Sequence, residues 1–400
     1  MAASDISISI VVPTHDRLNL VKEAVNTVVR QGTGNWELVV FDNCSTEPLG
    51  SFVQSLAHPN VRFARSDTFL DVTASWNRAF NMATGDYIML IGDDDGLAPG
   101  FFDKVRALVT EHDWPDMLYF PILQFFHPGV APWRREGYVA HVRSEALGTD
   151  SRPHYLDRSQ KREAVAGSFE IRRRFLFNMQ GLIFRRSSAE QMKVNGDFFQ
   201  SPFPDYYIAN AALLLLDKVL VCPMAVAIAG VSKASFGFTL FNNEEARGAA
   251  MLKTENRADP FWRDMEPIVL PGPAYNTNYI MTMRHLQERL GAAWDMKPDF
   301  KRYRRMQIAA LVDARLPLRE INLTPGERLF ALAVKAMKKV RNVWPFNRVL
   351  HHIQHPLAAP PRVTELAVGG IGSAVELFEM LKPAPGEKDA GWAVVPRVAK

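Results

Sequence analysis

An unbroken apolar run, Tyr87-Ile-Met-Leu-Ile91, ends in three consecutive carboxylates, Asp93, Asp94 and Asp95, bracketed by Gly92 and Gly96. No other stretch restricts the fold as much. A short apolar run closed by turn residues reads as a strand buried on both faces. Three adjacent carboxylates repel one another, so a fold keeps them together only where water or a cation offsets their charge. At the carboxyl end of a central strand, where open α/β sheets bind ligands, a divalent metal is the natural counter-charge. A solvated acidic turn is the plainer alternative, because Asp and Gly both favour turns.

The residues on either side choose between these readings by their periodicity. Ile6 to Val12 has the β-branched pattern of a strand and closes in the polar loop Pro13-Thr14-His15-Asp16-Arg17. Leu20, Val21, Ala24, Val25, Val28 and Val29 then recur at helical spacing. Trp36 to Phe41 is a second strand, ending in Asp42-Asn43-Cys44-Ser45-Thr46-Glu47. A helix over Leu49 to Leu56, a short strand at Val61 to Phe63 and a helix over Thr73 to Ala83 lead to the strand that carries the Asp triplet. Strand and helix alternate, and three strands end in polar or acidic loops. The expected fold class is α/β, a doubly wound mixed sheet of Rossmann-like character with a ligand crevice at the strand ends.

Beyond the helix Phe101 to Glu111, Met117 to Phe126 reads as one or two strands, and 128–162 as a long loop without periodicity. Gly181 to Phe184 is a strand. Pro204-Asp205 stands at the head of a helix reaching Leu216. Val219 to Cys222 and Ala225 to Ala229 are short strands before the loop Gly230 to Gly237. From residue 243 the pattern is helical: Glu244 to Arg257, Tyr279 to Leu290, Arg302 to Ala314, Gly326 to Arg341 and Ser373 to Leu381. Thr324 and Ser373 suit N-caps, and Pro325 suits the first helical position. The expected division is 1–110, 111–242 and a helical extension, 243–400.

Composition removes several function classes. Cys44 and Cys222 are the two cysteines, so neither a disulfide framework nor a cysteine metal site is expected, in keeping with a reducing, cytoplasmic location. A net charge of +4 calls for no nucleic-acid partner. No phosphate-binding Gly-x-x-x-x-Gly-Lys-Ser/Thr or dinucleotide Gly-x-Gly-x-x-Gly occurs, and His15, His127, His141 and His154 lack zinc spacing. No secretory leader and no spanning apolar run is apparent. The basic segments Lys301 to Arg305 and Lys335, Lys338, Lys339, Arg341 are surface helices packed on the core, or peripheral docking sites for the anionic inner face of a membrane.

The N-terminal 110 residues resemble family 2 glycosyltransferases, the inverting group with the nucleotide-sugar-binding GT-A fold. The matching pieces are Val11-Val-Pro13-Thr14-His15-Asp16-Arg17, Val39-Val-Phe-Asp42-Asn43-Cys44-Ser45-Thr46-Glu47, Ser75-Trp76-Asn77-Arg78-Ala79, Ala83-Thr-Gly85-Asp86 and the Asp triplet, in that order. The resemblance implies transfer of a sugar from a nucleotide-diphosphate donor, a UDP-sugar favoured, to a glycan, lipid-linked or other hydroxyl acceptor, in polysaccharide or glycolipid biosynthesis. It implies a divalent cofactor, Mn²⁺ or Mg²⁺, on Asp93 to Asp95. One register uses Asp93 and Asp95; the other, counted back from Leu97-Ala-Pro99, puts Gly92 in place of the motif's first carboxylate and makes Asp94 the foremost ligand.

The same resemblance places Pro13, Thr14, Asp16, Arg17, Asp42, Asn43, Ser45, Asn77 and Asp93 around the donor. It places Lys233 in a mobile loop near the diphosphate or acceptor, and Asp205 as the general base, against its reading as a helix N-cap. Two rival functions remain. A sugar-nucleotide nucleotidyltransferase would want a glycine-rich loop after the first strand, and Pro13 to Arg17 contains no glycine. A non-catalytic nucleotide-sugar or glycan-binding subunit is the other.

Overall fold

The structure of the protein is a computed structural model. It describes 3–143 except 33, 152–242 except 202, 264–339 except 316 and 320, 362–383 except 367–369, and 392–394, together with Leu147 and Arg247. The expected helix Glu244 to Arg257 lies outside these residues, Arg247 excepted. So do Arg341 and the side chains of Lys338 and Lys339.

Strands β1 (Ile8–Thr14), β2 (Trp36–Asp42), β3 (Val61–Arg65) and β4 (Tyr87–Leu90) form a parallel block with β1 between β2 and β4. Side chains alternate strictly between its two faces. Ile8, Ile10, Val12, Leu38, Val40, Tyr87, Met89 and Ile91 enter one buried cluster, with Val21, Val25 and Val28 of α1 (Leu18–Val29). Val11, Val39, Phe41, Ile88 and Leu90 enter the other, with Ala79 and Phe80 of α3 (Val72–Phe80). Both faces are covered, so these strands read as continuous apolar runs. Between α1 and α3 runs α2 (Leu49–Ser55).

The chain then breaks the parallel pattern. After β5 (Gly96–Leu97) and α4 (Phe101–Glu111), β6 (Met117–Tyr119) rejoins the first sheet. Phe120-Pro121 turns the chain, and β7 (Ile122–Phe126) enters a second sheet. The stretch 128–162 is less irregular than its sequence suggests. It holds β8 (Tyr138–Arg143), β9 (His154–Tyr155) and the start of α5 (Arg158–Phe169). Tyr138 to Val142 are buried on both sides, which removes the alternation that marks a half-exposed strand. Strand β10 (Leu182–Arg185) inserts antiparallel between β4 and β6, making the sheet mixed.

Helices α6 (Arg186–Met192) and α7 (Pro204–Leu215) precede β11 (Val219–Val221), β12 (Ala227–Val231) and α8 (Phe236–Phe241). The first sheet runs β3-β2-β1-β4-β10-β6-β11-β9. In the second, β12 pairs with β7 and with β5, the strand that directly follows the Asp triplet.

The C-terminal region is mainly helical, with helices Ala274–Trp294, Phe300–Asp313 and Pro325–Lys339. Thr324 Oγ1 accepts from the Glu327 amide and Glu327 Oε2 accepts from the Thr324 amide, a reciprocal cap of the last of these. The chain finally returns to the N-terminal half. Strand β13 (Arg362–Glu365) pairs with β8, the helix Ala374–Met380 meets Glu23 of α1, and Trp392 Nε1 donates to Ala225 O. Among the described residues no helix is long and apolar enough to cross a membrane.

One clamp joins the two halves of the first sheet's lower face. Asn77 Nδ2 donates to Phe199 O and Asn77 Oδ1 accepts from Phe199 N, each at 2.8 Å, with the side chain 5% exposed. Asn77→Ala strands both backbone groups and is expected to cost about 2 kcal/mol in urea unfolding. Loss of nucleotide affinity at unchanged stability would assign Asn77 to the donor instead.

Candidate active site

The loops after β1 and β2 interlock before any ligand is considered. Asp16 adopts a left-handed backbone (φ 49°). Its carboxylate accepts from the amides of Thr46 and Glu47 and from the Thr46 hydroxyl, while the Asp16 amide donates to Ser45 Oγ at 2.8 Å. Glu47 in turn accepts from the amide of Leu18, satisfying one of the orphan donors that open α1. Asp16 thus supports the neighbouring loop, and α1 is capped from across the crevice. Asp42 is fully buried at the end of β2. It accepts from the Ser45 amide at 2.8 Å and pairs with Arg65 Nη1 at 2.7 Å.

Each residue of the triplet has a different set of partners. Asp93 accepts from Thr14 Oγ1 at 2.8 Å and from Arg17 Nη1 at 3.0 Å. Asp95 accepts from the amides of Gly92 and Gly230 and from Gln180 Nε2. Asp94 accepts through Oδ2 from the Ser232 amide at 3.2 Å, and the Ser232 side chain also favours its anion. All three are buried: 3%, 8% and 1% exposed in order. Burial and the neighbouring Asp93 raise the Asp94 pKa to about 6. Burial and Asp94 push Asp95 up to about 8, against the three donors that favour its anion.

Local sterics account for this arrangement. A side chain at Gly230 would put Cβ 1.7 Å from the Asp94 carbonyl oxygen, so only glycine lets β12 approach the triplet. At Gly92, Cβ would lie 2.8 Å from Asp95 Oδ2, leaving no room there for the further carboxylate that one register of the motif expects. Arg17 closes the site from the other side, donating through Nη2 to Ala234 O at 2.6 Å.

Asp205 lies in the first turn of α7, where Phe203 rather than Asp205 is the N-cap. Its carboxylate accepts from the adjacent Tyr206 amide at 2.9 Å. Burial raises its pKa to about 7, with Arg173 acting in the opposite direction. That value suits a proton acceptor near neutrality.

The structure therefore gathers Thr14, Arg17, Asp93 and Asp94 with the 230–234 loop, and Asp42 with Ser45. Pro13 is buried in β1. Asn43 holds the chain at Leu70 through both ends of its amide, at 2.9 Å each, and so shapes the crevice floor. Lys233 is exposed and passes over Gly129. Asn77 is turned to Phe199. Two residues escaped the sequence reading. Arg65 faces Asp42 in the β2–β3 register, a pairing that requires the strand alignment. Gln180 carries no local signal, and reaches Asp95 only because β10 inserts beside β4. Among the described residues no group of three His, Cys, Asp or Glu converges to hold a metal.

Residues 9–179 match the family described as glycosyl transferase family 2. The putative colanic acid biosynthesis glycosyl transferase WcaA of Escherichia coli K12 is 38% identical over 109 residues, 26% of this chain and 39% of that protein. A PGL/p-HBAD biosynthesis glycosyltransferase of Mycobacterium bovis BCG is 29% identical over 119 residues, 29% of this chain and 46% of that one. The alignments thus span less than half the length of either relative. Among solved structures, S. aureus TarS 1–349 with UDP-GlcNAc superposes with a TM-score of 0.46 at 14% identity, covering 84% of this chain and 92% of the other. The mannosyltransferase PcManGT of Pyrobaculum calidifontis with GDP-Man and Mn²⁺ gives 0.40 at 14%, covering 87% and 84%.

The raised carboxyls make stability depend on pH. Asp205 (about 7) and Asp95 (about 8) stay protonated in the fold well above the pH at which the unfolded chain ionises them. The folded state binds more protons, so stability is expected to fall as pH rises from about 5 to 8, by at most about 1.4 kcal/mol per pH unit for each carboxyl still protonated in the fold, and to level off above that. Urea unfolding across that range measures it. Asp95→Asn should flatten the slope, and a slope rising with pH would contradict the assignment.

Proposed function

From the match of residues 9–179 to glycosyl transferase family 2 we propose that the chain moves a sugar from a nucleotide diphosphate, preferably UDP, to an acceptor hydroxyl with inversion. The observation that carries this reading is the convergence of three strand ends on one crevice. Thr14 and Arg17 follow β1, Asp42 ends β2, and the triplet follows β4, all at the carboxyl side of the sheet. Asp42 and the loop it braces suit the ribose and base.

Asp94 is the metal ligand in this reading. Asp93 and Asp95 are each held by two or three separate protein groups, whereas Asp94 is held by Ser232 alone. Asp93 and Asp94 outnumber the single Arg17 guanidinium even with Asp95 protonated, so the site suits a hard divalent cation, Mn²⁺ or Mg²⁺, that completes its shell with phosphate and water. When bound, that ion offsets the charge of the departing diphosphate.

The chain's own residues supply the rest. Asp93, fixed by Thr14 and Arg17, holds the β4 end in place for the donor. Arg17, tied to Ala234 O, couples the crevice to the 230–234 loop, from which Lys233 reaches toward the diphosphate or acceptor. Asp205 takes the proton of the acceptor hydroxyl as its oxygen bonds to the anomeric carbon, on the face opposite the breaking bond to the diphosphate. A carboxyl with a pKa of about 7 accepts that proton near neutral pH. Polysaccharide or glycolipid assembly suits such a transferase. Leu329 and Leu332 are 70% and 64% exposed on the helix that carries Lys335, which supports docking of that face on an anionic membrane.

Asp205→Asn is expected to lower kcat by about 10²- to 10⁴-fold with donor affinity within twofold. In thermal shift, Mn²⁺ should raise the stabilisation by UDP in the wild type and not in Asp94→Ala. Turnover undiminished in both variants would refute the site. Leu329→Asp/Leu332→Asp should reduce co-sedimentation with phosphatidylserine vesicles; equal sedimentation would remove the membrane from the scheme.

A further inference from the structure

One segment, 170–181, bridges the triplet and Asp205. Gln180 at its end donates to Asp95, and Arg173 near its start exerts its field on Asp205. Its course is fixed by Tyr119, whose hydroxyl donates to Leu176 O at 3.1 Å and accepts from Leu176 N at 2.8 Å. Phe175 and Phe177 are buried within the core on either side of that pin. The segment is therefore rigid where Arg173 leaves it.

The surroundings of Arg173 are unusual for a cation. Its side chain sits among the rings of Phe177, Tyr206, Tyr275 and Tyr279, with the guanidinium carbon 5.7 Å from the Phe177 centroid. The rings themselves are packed edge to face, Phe177 on Tyr206 at 4.5 Å and Tyr206 on Tyr275 at 6.1 Å. No carboxylate comes within ion-pair distance among the described residues. The one hydrogen bond is a long contact, 3.4 Å, from Nη2 to Asn178 Oδ1, and Nε is sealed from water with no acceptor. Arg304 and Arg17 are paired with Glu327 and Asp93, and the buried Lys161 is satisfied by the carbonyls of Leu216 and Asp217, whereas Arg173 has neither kind of close partner. Arg173 is half-buried, and a guanidinium partly withdrawn from water without an anion carries a desolvation cost of which the contact with Phe177 returns only about 0.5–2 kcal/mol. Arginine's planar fork matches a carboxylate or a phosphate.

We propose that Arg173 is the receptor for an anionic group on the acceptor, a carboxylate or phosphate, and that this contact sets the acceptor hydroxyl against Asp205. The proposal rests on the transferase reading, because it takes Arg173 and Asp205 as two sides of one acceptor site. Asn178 steers the fork, and the tyrosine rings form the walls against which a sugar face can stack. The acceptor class follows: a uronic-acid-bearing glycan or a phosphate-bearing sugar or polyol, rather than a neutral sugar. Arg173 acts on binding and orientation, while proton transfer belongs to Asp205.

The test is titration calorimetry on the full chain saturated with UDP, using methyl glucuronide, glycerol phosphate and methyl glucoside. Wild type should bind at least one anionic probe about tenfold more tightly than the neutral one, and the better of the two anions identifies carboxylate or phosphate. Arg173→Gln should abolish that preference while leaving UDP affinity within twofold. Should the Gln variant fail to fold, Arg173→Lys carries the test, with the anionic probe weakened at least about threefold because the fork is lost. Equal binding of charged and neutral probes by wild type, or an undiminished preference in the folded variant, overturns the proposal. The two readings fail separately: absence of UDP and GDP binding in wild type counts against the transferase, whereas intact nucleotide binding with no anion preference counts against Arg173 alone.

Discussion

The mutual repulsion of three adjacent carboxylates organises everything around the end of β4. Left to themselves Asp93, Asp94 and Asp95 could not be buried together. The fold keeps them by giving each a different partner set: Thr14 and Arg17 for Asp93, Ser232 for Asp94, and Gly92, Gly230 and Gln180 for Asp95. Those partners come from β1 and the loop after it, the turn that precedes β10, β12 and the loop after β12. The triplet is therefore the point at which distant parts of the chain are required to meet, and Gly230 is what permits the closest of those approaches. The second sheet lies where it does because β5 leaves the triplet already paired with β12.

The same arrangement divides labour among residues that look alike in the chain. Asp93 and Asp95 are held by several separate groups, and Asp94 by Ser232 alone. Asp16, Ser45 and Glu47 bind one another's loops, which makes the strand-end crevice a pre-formed shape. Asn43 extends that frame to the chain at Leu70. Segment 170–181 then carries rigidity from the triplet to Asp205, so the donor side and the proton acceptor are linked through one pinned length of backbone. Burial is what lifts Asp205 toward neutrality, outweighing the first-turn amide of Tyr206 that favours its anion.

Much of the first half was legible because a doubly covered parallel sheet writes itself as apolar runs ending in polar loops. Asp42, Thr14 and the triplet stood out for that reason. The stretch 128–162 hid its strands, since β8 is buried on both faces and lacks alternation. Asn77 and Asn43 looked like ligand contacts by position, yet each has its amide turned to backbone. Arg65 and Gln180 could not be found from the chain alone: one depends on the β2–β3 register, the other on an antiparallel insertion that no local pattern announces.

What the sequence determined by itself was the order of strands and helices, the polar strand ends, and the types of residue that would face a charged ligand. These follow from local periodicity and from the chemistry of single side chains. Only the tertiary structure decided how protein donors are shared among the three carboxylates, that Asp205 is a half-buried acid inside the first turn rather than a cap, and that Arg173 has no ion-pair partner among the described residues. Those properties are set by burial and by partners far away in sequence, and a side chain's charge acquires its meaning only from the groups the fold brings within a few ångströms of it.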